Sequence, residues 1–153
     1  NFLKKANKNK IIEIANHGLS HCIIGNHKPK LFSSNRKYHR EFWDYIDSEI
    51  HLEHIEKSQK IFLNWLGKKP DLLIPPGNVY SYKTIKAASL NDIKFINSYH
   101  IVENNLVKII DEKYIFPFHD KDVKNKKGLN WLRKILTNLS DRKFVFVQEV
   151  IDE

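Results

Sequence analysis

IEIANHGLSHC, residues 12–22, runs an apolar stretch straight into two histidines four residues apart. Ile11, Ile12 and Ile14 read as a buried strand ending at Asn16, and His17 and His21 follow with Gly18, Leu19 and Ser20 between them. Strand ends are where open α/β folds and barrels keep their active sites. Imidazoles at i and i+4, on one helical turn or in a tight loop, can face a single ion, and neutral imidazole is a favoured zinc ligand. Two ligands do not complete a site, because catalytic zinc takes three protein ligands and an open water position. Spacing alone fits better with histidines that cap a strand or hydrogen-bond to backbone. The zincin motif is excluded, since it needs Glu directly after the first His and this chain has Gly18.

Outward from that corner, helical and extended patterns alternate. Residues 1–10 read as the end of a helix, with Phe2, Leu3 and Ala6 at helical spacing. Residues 23–38 carry Gly25, Pro29, Ser33 and Ser34 without periodicity and read as a long loop. Residues 41–66 are helical, with Trp43, Ile46, Ile50, Ile55, Phe62, Leu63 and Leu66 as the apolar stripe. Gly67 ends that helix, Pro70 prevents its return, and 72–74 is a strand closed by the rigid turn Pro75-Pro76-Gly77-Asn78. A short helix at 82–90, strands at 93–96, 106–110 and 114–118, a helix at 128–139 and a closing strand at 144–147 follow. His27 and His39 read as solvated; so do His51 and His54, although their i, i+3 spacing could in principle share a metal. The alternation predicts a mostly parallel α/β layout, open or closed as a barrel, in which the ends holding His17 and His21, the proline turn, and His119 with Asp120 converge.

At 153 residues with 41% apolar content the chain is one globular domain, and no internal repeat divides it. Its 26 Lys and Arg against 18 Asp and Glu give +8, which favours anionic partners, yet the cations are spread among acidic residues and read as a lysine-rich soluble surface. Nothing approaches the roughly 20 apolar residues of a membrane span. The single cysteine, Cys22, excludes an internal disulfide and reads as a small buried side chain. The chain starts at Asn1 and has no methionine, so either it is an internal segment or its methionines are missing from the sequence as it stands.

Taken in order, these motifs resemble the polysaccharide deacetylase, or NodB-homology, family. ANHGLSH is similar to that family's metal-binding His-x-x-x-His motif, LEHIEKSQKIFLNWLGKKPDLLIPPGNVY (residues 52–80) to its helix leading to an Arg-Pro-Pro-Gly-type turn, and FPFHDKD (residues 116–122) to the late strand ending in its catalytic His. The resemblance spans nearly the whole chain from Lys10 onward, and its force lies in the order and intervals of motifs that are weak singly. Three departures stand out. Gly18 replaces the usual Ser or Thr, Ile74 replaces the arginine of the proline turn, and nothing before Ile11 resembles the strand whose paired aspartates give the third ligand and the general base.

The resemblance implies a distorted (β/α) barrel, incomplete at its N-terminus unless that strand lies upstream of Asn1. It implies a metal-dependent hydrolase that removes acetyl groups from a sugar or cell-surface polysaccharide. His17 and His21 would hold a divalent metal, zinc being the expected ion. The Gly77 backbone N–H would stabilise the oxyanion, His119 would protonate the leaving amine with Asp120 as its orienter, and Pro76 and Tyr80 would line the substrate. Tyr99, Trp65 and Trp131 are further sugar-stacking candidates, with core packing the favoured role for the tryptophans. The implied partner is an acetylated glycan, either in the cytoplasm or at the cell envelope. No nucleic acid is expected, and a homo-oligomer is left open, since a missing strand would expose a barrel edge. Two other classes stand against this reading: an inactive glycan-binding module on the same fold, and a basic nucleic-acid binder supported by net charge alone.

Overall fold

The computed structural model describes residues 2–21, 40–111, 119–147 and 149. The expected loop at 23–38 with His27, together with Cys22, His39 and the expected strand at 114–118, lies outside them. The chain divides into two compact units, Asn1–Glu112 and Lys113–Glu153.

In the first unit, helix α1 (Phe2–Lys8) buries Ala6 and turns into an extended segment. That segment was expected to be a buried strand. Only Asn16 pairs, in a parallel bridge to Leu73, while Ile11 is exposed, because its N–H is taken by Ala6 O as the helix unwinds. Helix α2 (Ser48–Leu66) starts at Asp47 and stops at Gly67, whose φ of +79° is the left-handed C-cap that glycine adopts without a Cβ penalty. Strand β1 (Leu72–Leu73) leads through the 3-10 turn Pro76–Asn78 to helix α3 (Tyr82–Leu90), then to β2 (Phe95–Ser98) and β3 (Lys108–Asp111). The strands form a parallel sheet in the order β1-β2-β3, with Leu73 beside Ile96 and Ile96 beside Ile109. With the Asn16 bridge on the outer side of β1, the described residues give a small open parallel sheet in a mixed α/β fold.

Phe42, Ile55, Leu73, Ile85, Ala87, Ala88, Ile93, Ile96 and Val107 form the core of this unit. Of the expected apolar stripe Ile46 and Ile55 are buried, Trp43, Ile50, Phe62 and Leu66 are half-buried and Leu63 is exposed; the fully buried face of α2 is mostly polar, His51, His54, Ser58 and Gln59 beside Ile55, at successive helical spacings. His51 and His54, expected in solvent, are 0% and 5% exposed. They are buried because each finds hydrogen-bond partners there, which removes the main cost of taking a polar group out of water.

In the second unit, a 3-10 turn (Asp120–Val123) precedes helix α4 (Lys126–Asn138), capped by Asn125, whose Oδ1 accepts from Gly128 N at 3.0 Å. The strand expected at 144–147 does not form. Residues 143–146 carry no regular structure, and among the described residues no strand pairs with them. Four apolar residues give a β pattern, but a strand also needs a ladder partner.

Candidate functional site

Two of the three expected strand ends meet in the first unit. Asn16 N donates to Leu72 O and Ile74 N donates to Asn16 O, both at 2.8 Å, so the chain leaves the sheet at His17 beside the point where β1 runs into the proline turn. Asn16 is buried. Its Oδ1 accepts from Gly18 N at 2.8 Å, and its Nδ2 reaches Ser58 Oγ at 2.8 Å and Gln59 Oε1 at 3.3 Å on α2. One side chain thus ties strand, loop and helix. Asn16→Ala would strand buried partners on both sides and is expected to cost about 2–4 kcal/mol in urea unfolding.

His17 Nδ1 lies 2.6 Å from Ile74 O. A carbonyl only accepts, so Nδ1 carries the proton and Nε2 keeps the lone pair, the usual arrangement of a metal-ligating imidazole. The rings of His17 and His21 have centroids 5.0 Å apart at 61°. Two imidazoles on one tetrahedral ion, with metal–nitrogen bonds of about 2 Å, have ring centres roughly 5 Å apart. Burial first, then the neighbouring Arg40 and His17 charges, lower the His21 pKa. His17 therefore presents a lone pair that suits a divalent ion such as zinc, whereas His21 Nδ1 takes a hydrogen bond from Arg40 and would face an ion only once that bond is given up. Among the described residues, no group of three His, Cys, Asp or Glu completes a set.

The loop is held from beneath by Glu41, a residue that the sequence offers only as the start of a helix. Its buried carboxylate accepts from His21 N at 3.1 Å through Oε1, and from Leu19 N at 3.1 Å and Ser20 N at 3.5 Å through Oε2. His54 Nδ1 donates to Oε2 at 2.6 Å. Gly18, with φ of +83°, leaves the space this carboxylate occupies, since a Cβ there would sit 1.9 Å from Oε1. The departure from Ser or Thr at residue 18 thus has a partner in Glu41. No local signal points to it, because Glu41 lies in an irregular segment about 20 residues from the amides it binds.

Arg40 Nη1 donates to His21 Nδ1, and the Arg40 guanidinium lies over Gly77, where a Cβ would meet its Nε at 2.8 Å. Gly77 is exposed at the tip of the turn with φ of +63°, and Pro76 behind it is buried. Tyr80 packs against the core, and its hydroxyl donates to His100 O. A cleft of about 710 Å³, lined by Ile93, Ile101 and Leu106 among others, opens at the opposite ends of β2 and β3, away from the histidines.

In the second unit His119 precedes the 3-10 turn. Its N–H donates to Asp122 Oδ2 at 2.8 Å and its Nδ1 lies 3.5 Å from the same oxygen. Asp122 thus places a carboxylate beside the imidazole, and Asp120 opens the turn.

No family model matches this chain, and no curated protein matches it in sequence. A solved structure does match: a de-N-acetylase from Aggregatibacter actinomycetemcomitans, with a TM-score of 0.51 at 16% identity over 76% of this chain. The fold is deacetylase-like. The match covers 48% of that protein, so this chain spans about half its length. At that identity the likeness concerns the path of the backbone, and the chemistry has to be argued from the side chains.

Proposed function

We propose that this chain carries the metal-binding corner of a hydrolase that removes acetyl groups from a sugar or cell-surface polysaccharide, on a distorted barrel of the polysaccharide deacetylase type. The observation that carries the reading is the pair of imidazoles on one loop against the proline turn, with His17 Nε2 left as a donor by the bond from Nδ1 to Ile74 O. His17 and His21 would hold a divalent ion, zinc by its preference for neutral imidazole; when bound it would supply a water of lowered pKa and polarise an acetyl carbonyl. Gly77 would offer its backbone N–H to the developing oxyanion, with the Arg40 guanidinium filling the space beside the glycine where a Cβ would stand. His119, protonated, gives its proton to the leaving amine. The contact with Asp122 favours that carboxylate over Asp120 as the group holding the imidazolium charge. Pro76, buried behind Gly77, would back the turn, Tyr80 would line the substrate edge, and an acetylated glycan would be the partner.

Elemental analysis tests this first. The wild-type protein is expected to carry about one zinc or similar divalent ion per chain, and His17→Ala/His21→Ala none. A wild-type protein free of metal after added zinc would remove the metal-dependent reading.

A second reading, an inactive glycan-binding module, is favoured by two observations. Ile74 stands where the family has arginine, and no third ligand joins the histidines among the described residues. Acetate release from any acetylated sugar excludes it.

A further inference from the structure

We propose that Glu41, braced by His54, is the positioning residue of the histidine loop: its carboxylate fixes the backbone that carries His17 and His21, and so sets their affinity for a divalent ion. The inference rests on the metal-binding reading above and concerns a residue which that reading does not use.

Three observations carry it. First, the loop contains a strained residue. His21 has φ of +62°, a left-handed conformation that costs a non-glycine residue about 1 kcal/mol or more and persists only when its surroundings over-determine it. Glu41 Oε1 takes the N–H of that residue, and Oε2 takes those of Leu19 and Ser20, so one carboxylate gathers three successive backbone donors. Second, the carboxylate is itself fixed. It is 1% exposed, and His54, also buried on α2, donates to it at 2.6 Å. Third, the loop has been fitted around it, since residue 18 has no side chain where Oε1 lies. Gln cannot replace Glu here, because turning its amide either way puts an NH2 group against a backbone or imidazole N–H.

Glu41 cannot itself complete the ligand set while it accepts these donors, so its action on the ion runs through the histidines. Groups that orient ligating histidines typically change metal affinity by about 10–100-fold when removed. Being a carboxylate under a loop of N–H groups, it holds the backbone where most such partners hold a ring.

The experiment titrates Co²⁺ into the protein and follows both its visible absorption and hydrogen exchange at the amides of Leu19, Ser20 and His21. Glu41→Gln is expected to bind Co²⁺ about 10–100-fold more weakly and to exchange those amides faster. His54→Leu should do the same. His54→Asn keeps a donor near the position of Nδ1 and should restore most of the affinity. Should Glu41→Gln fail to fold, the two His54 variants carry the test. Unchanged Co²⁺ affinity and exchange in a folded Glu41→Gln or His54→Leu would overturn the role of Glu41 alone. A wild-type protein that takes up no Co²⁺ overturns the metal reading and, with it, the effect on affinity.

Discussion

Gly18→Ala should lower stability by about 3 kcal/mol or more, which for a chain of this size is a fall of roughly 6–12 °C in Tm. Two effects add. Alanine at a φ of +83° is strained wherever it occurs, and its Cβ would lie 1.9 Å from Glu41 Oε1 and 2.8 Å from Glu41 Cδ. A clash with the end of a long side chain is usually relieved by moving that end. Here the end is a buried carboxylate that binds the amides of Leu19 and His21 and the imidazole of His54. Displacing it separates a buried charge from its partners, a loss of about 3–5 kcal/mol when complete. The check is a double-mutant cycle by urea unfolding. Glu41→Ala should itself be costly, and Gly18→Ala on top of it should cost much less than in the wild type. Additive effects would mean that residue 18 and Glu41 do not share the space the structure gives them.

Acid should unfold the protein earlier than its surface carboxylates require, through His51. This imidazole is enclosed between α2 and α3. Its Nε2–H donates to Trp43 O at 3.1 Å, and its Nδ1 accepts from Thr84 Oγ1 at 3.0 Å, whose oxygen in turn accepts from Ser81 N. Both ring nitrogens are committed in the neutral form, and burial pushes the pKa down to about 4, with the Lys83 and His54 charges assisting and the bond to Trp43 O opposing. The sign follows from linkage. The unfolded chain takes up a proton near pH 6.5 while the folded one does not until about pH 4, so the stabilisation is whole above pH 6.5 and is lost as the pH falls from there toward 4. At pH 4.5 the loss from this group is about 2.5 kcal/mol. His51→Gln retains a donor for Trp43 O and does not titrate. It should be less stable than wild type at pH 7.5, and the gap should narrow or reverse at pH 4.5 in parallel urea melts. Parallel pH profiles for the two proteins would refute the assignment.

Much of the frame was legible because it depends on local chemistry. Gly67 and Pro70 mark the end of α2, the 82–90 periodicity matches α3 residue for residue, and the Pro75 to Asn78 turn sits where its composition requires. The histidine loop and the proline turn were expected at neighbouring strand ends, and Asn16 and Ile74 join them there. The inward face of α2 was not legible. Hydropathy points to Ile46, Ile50, Ile55, Phe62, Leu63 and Leu66, of which Ile46 and Ile55 are buried, but burial at His51, His54, Ser58 and Gln59 follows from partners 11 to 42 residues away that no window along the chain contains. Glu41 escaped for the same reason. The segment at 11–16 was expected as a buried strand because three isoleucines satisfy a β pattern, whereas among the described residues its β-bridge is that of Asn16 to Leu73.

The polar seam along α2 also bears on how this sequence can change. An apolar helix face can slide or exchange leucine for isoleucine with small loss, since such contacts have no preferred angle. Asn16 with Ser58 and Gln59, and Glu41 with His54, form two sets of directional bonds along α2, in which each donor has been matched to a particular acceptor. Substitution at one of these positions is tolerable only with a compensating change at another of its set, so across diverged relatives the members of each set should vary together or not at all. The apolar neighbours Ile55 and Ile85 should drift freely among residues of similar volume.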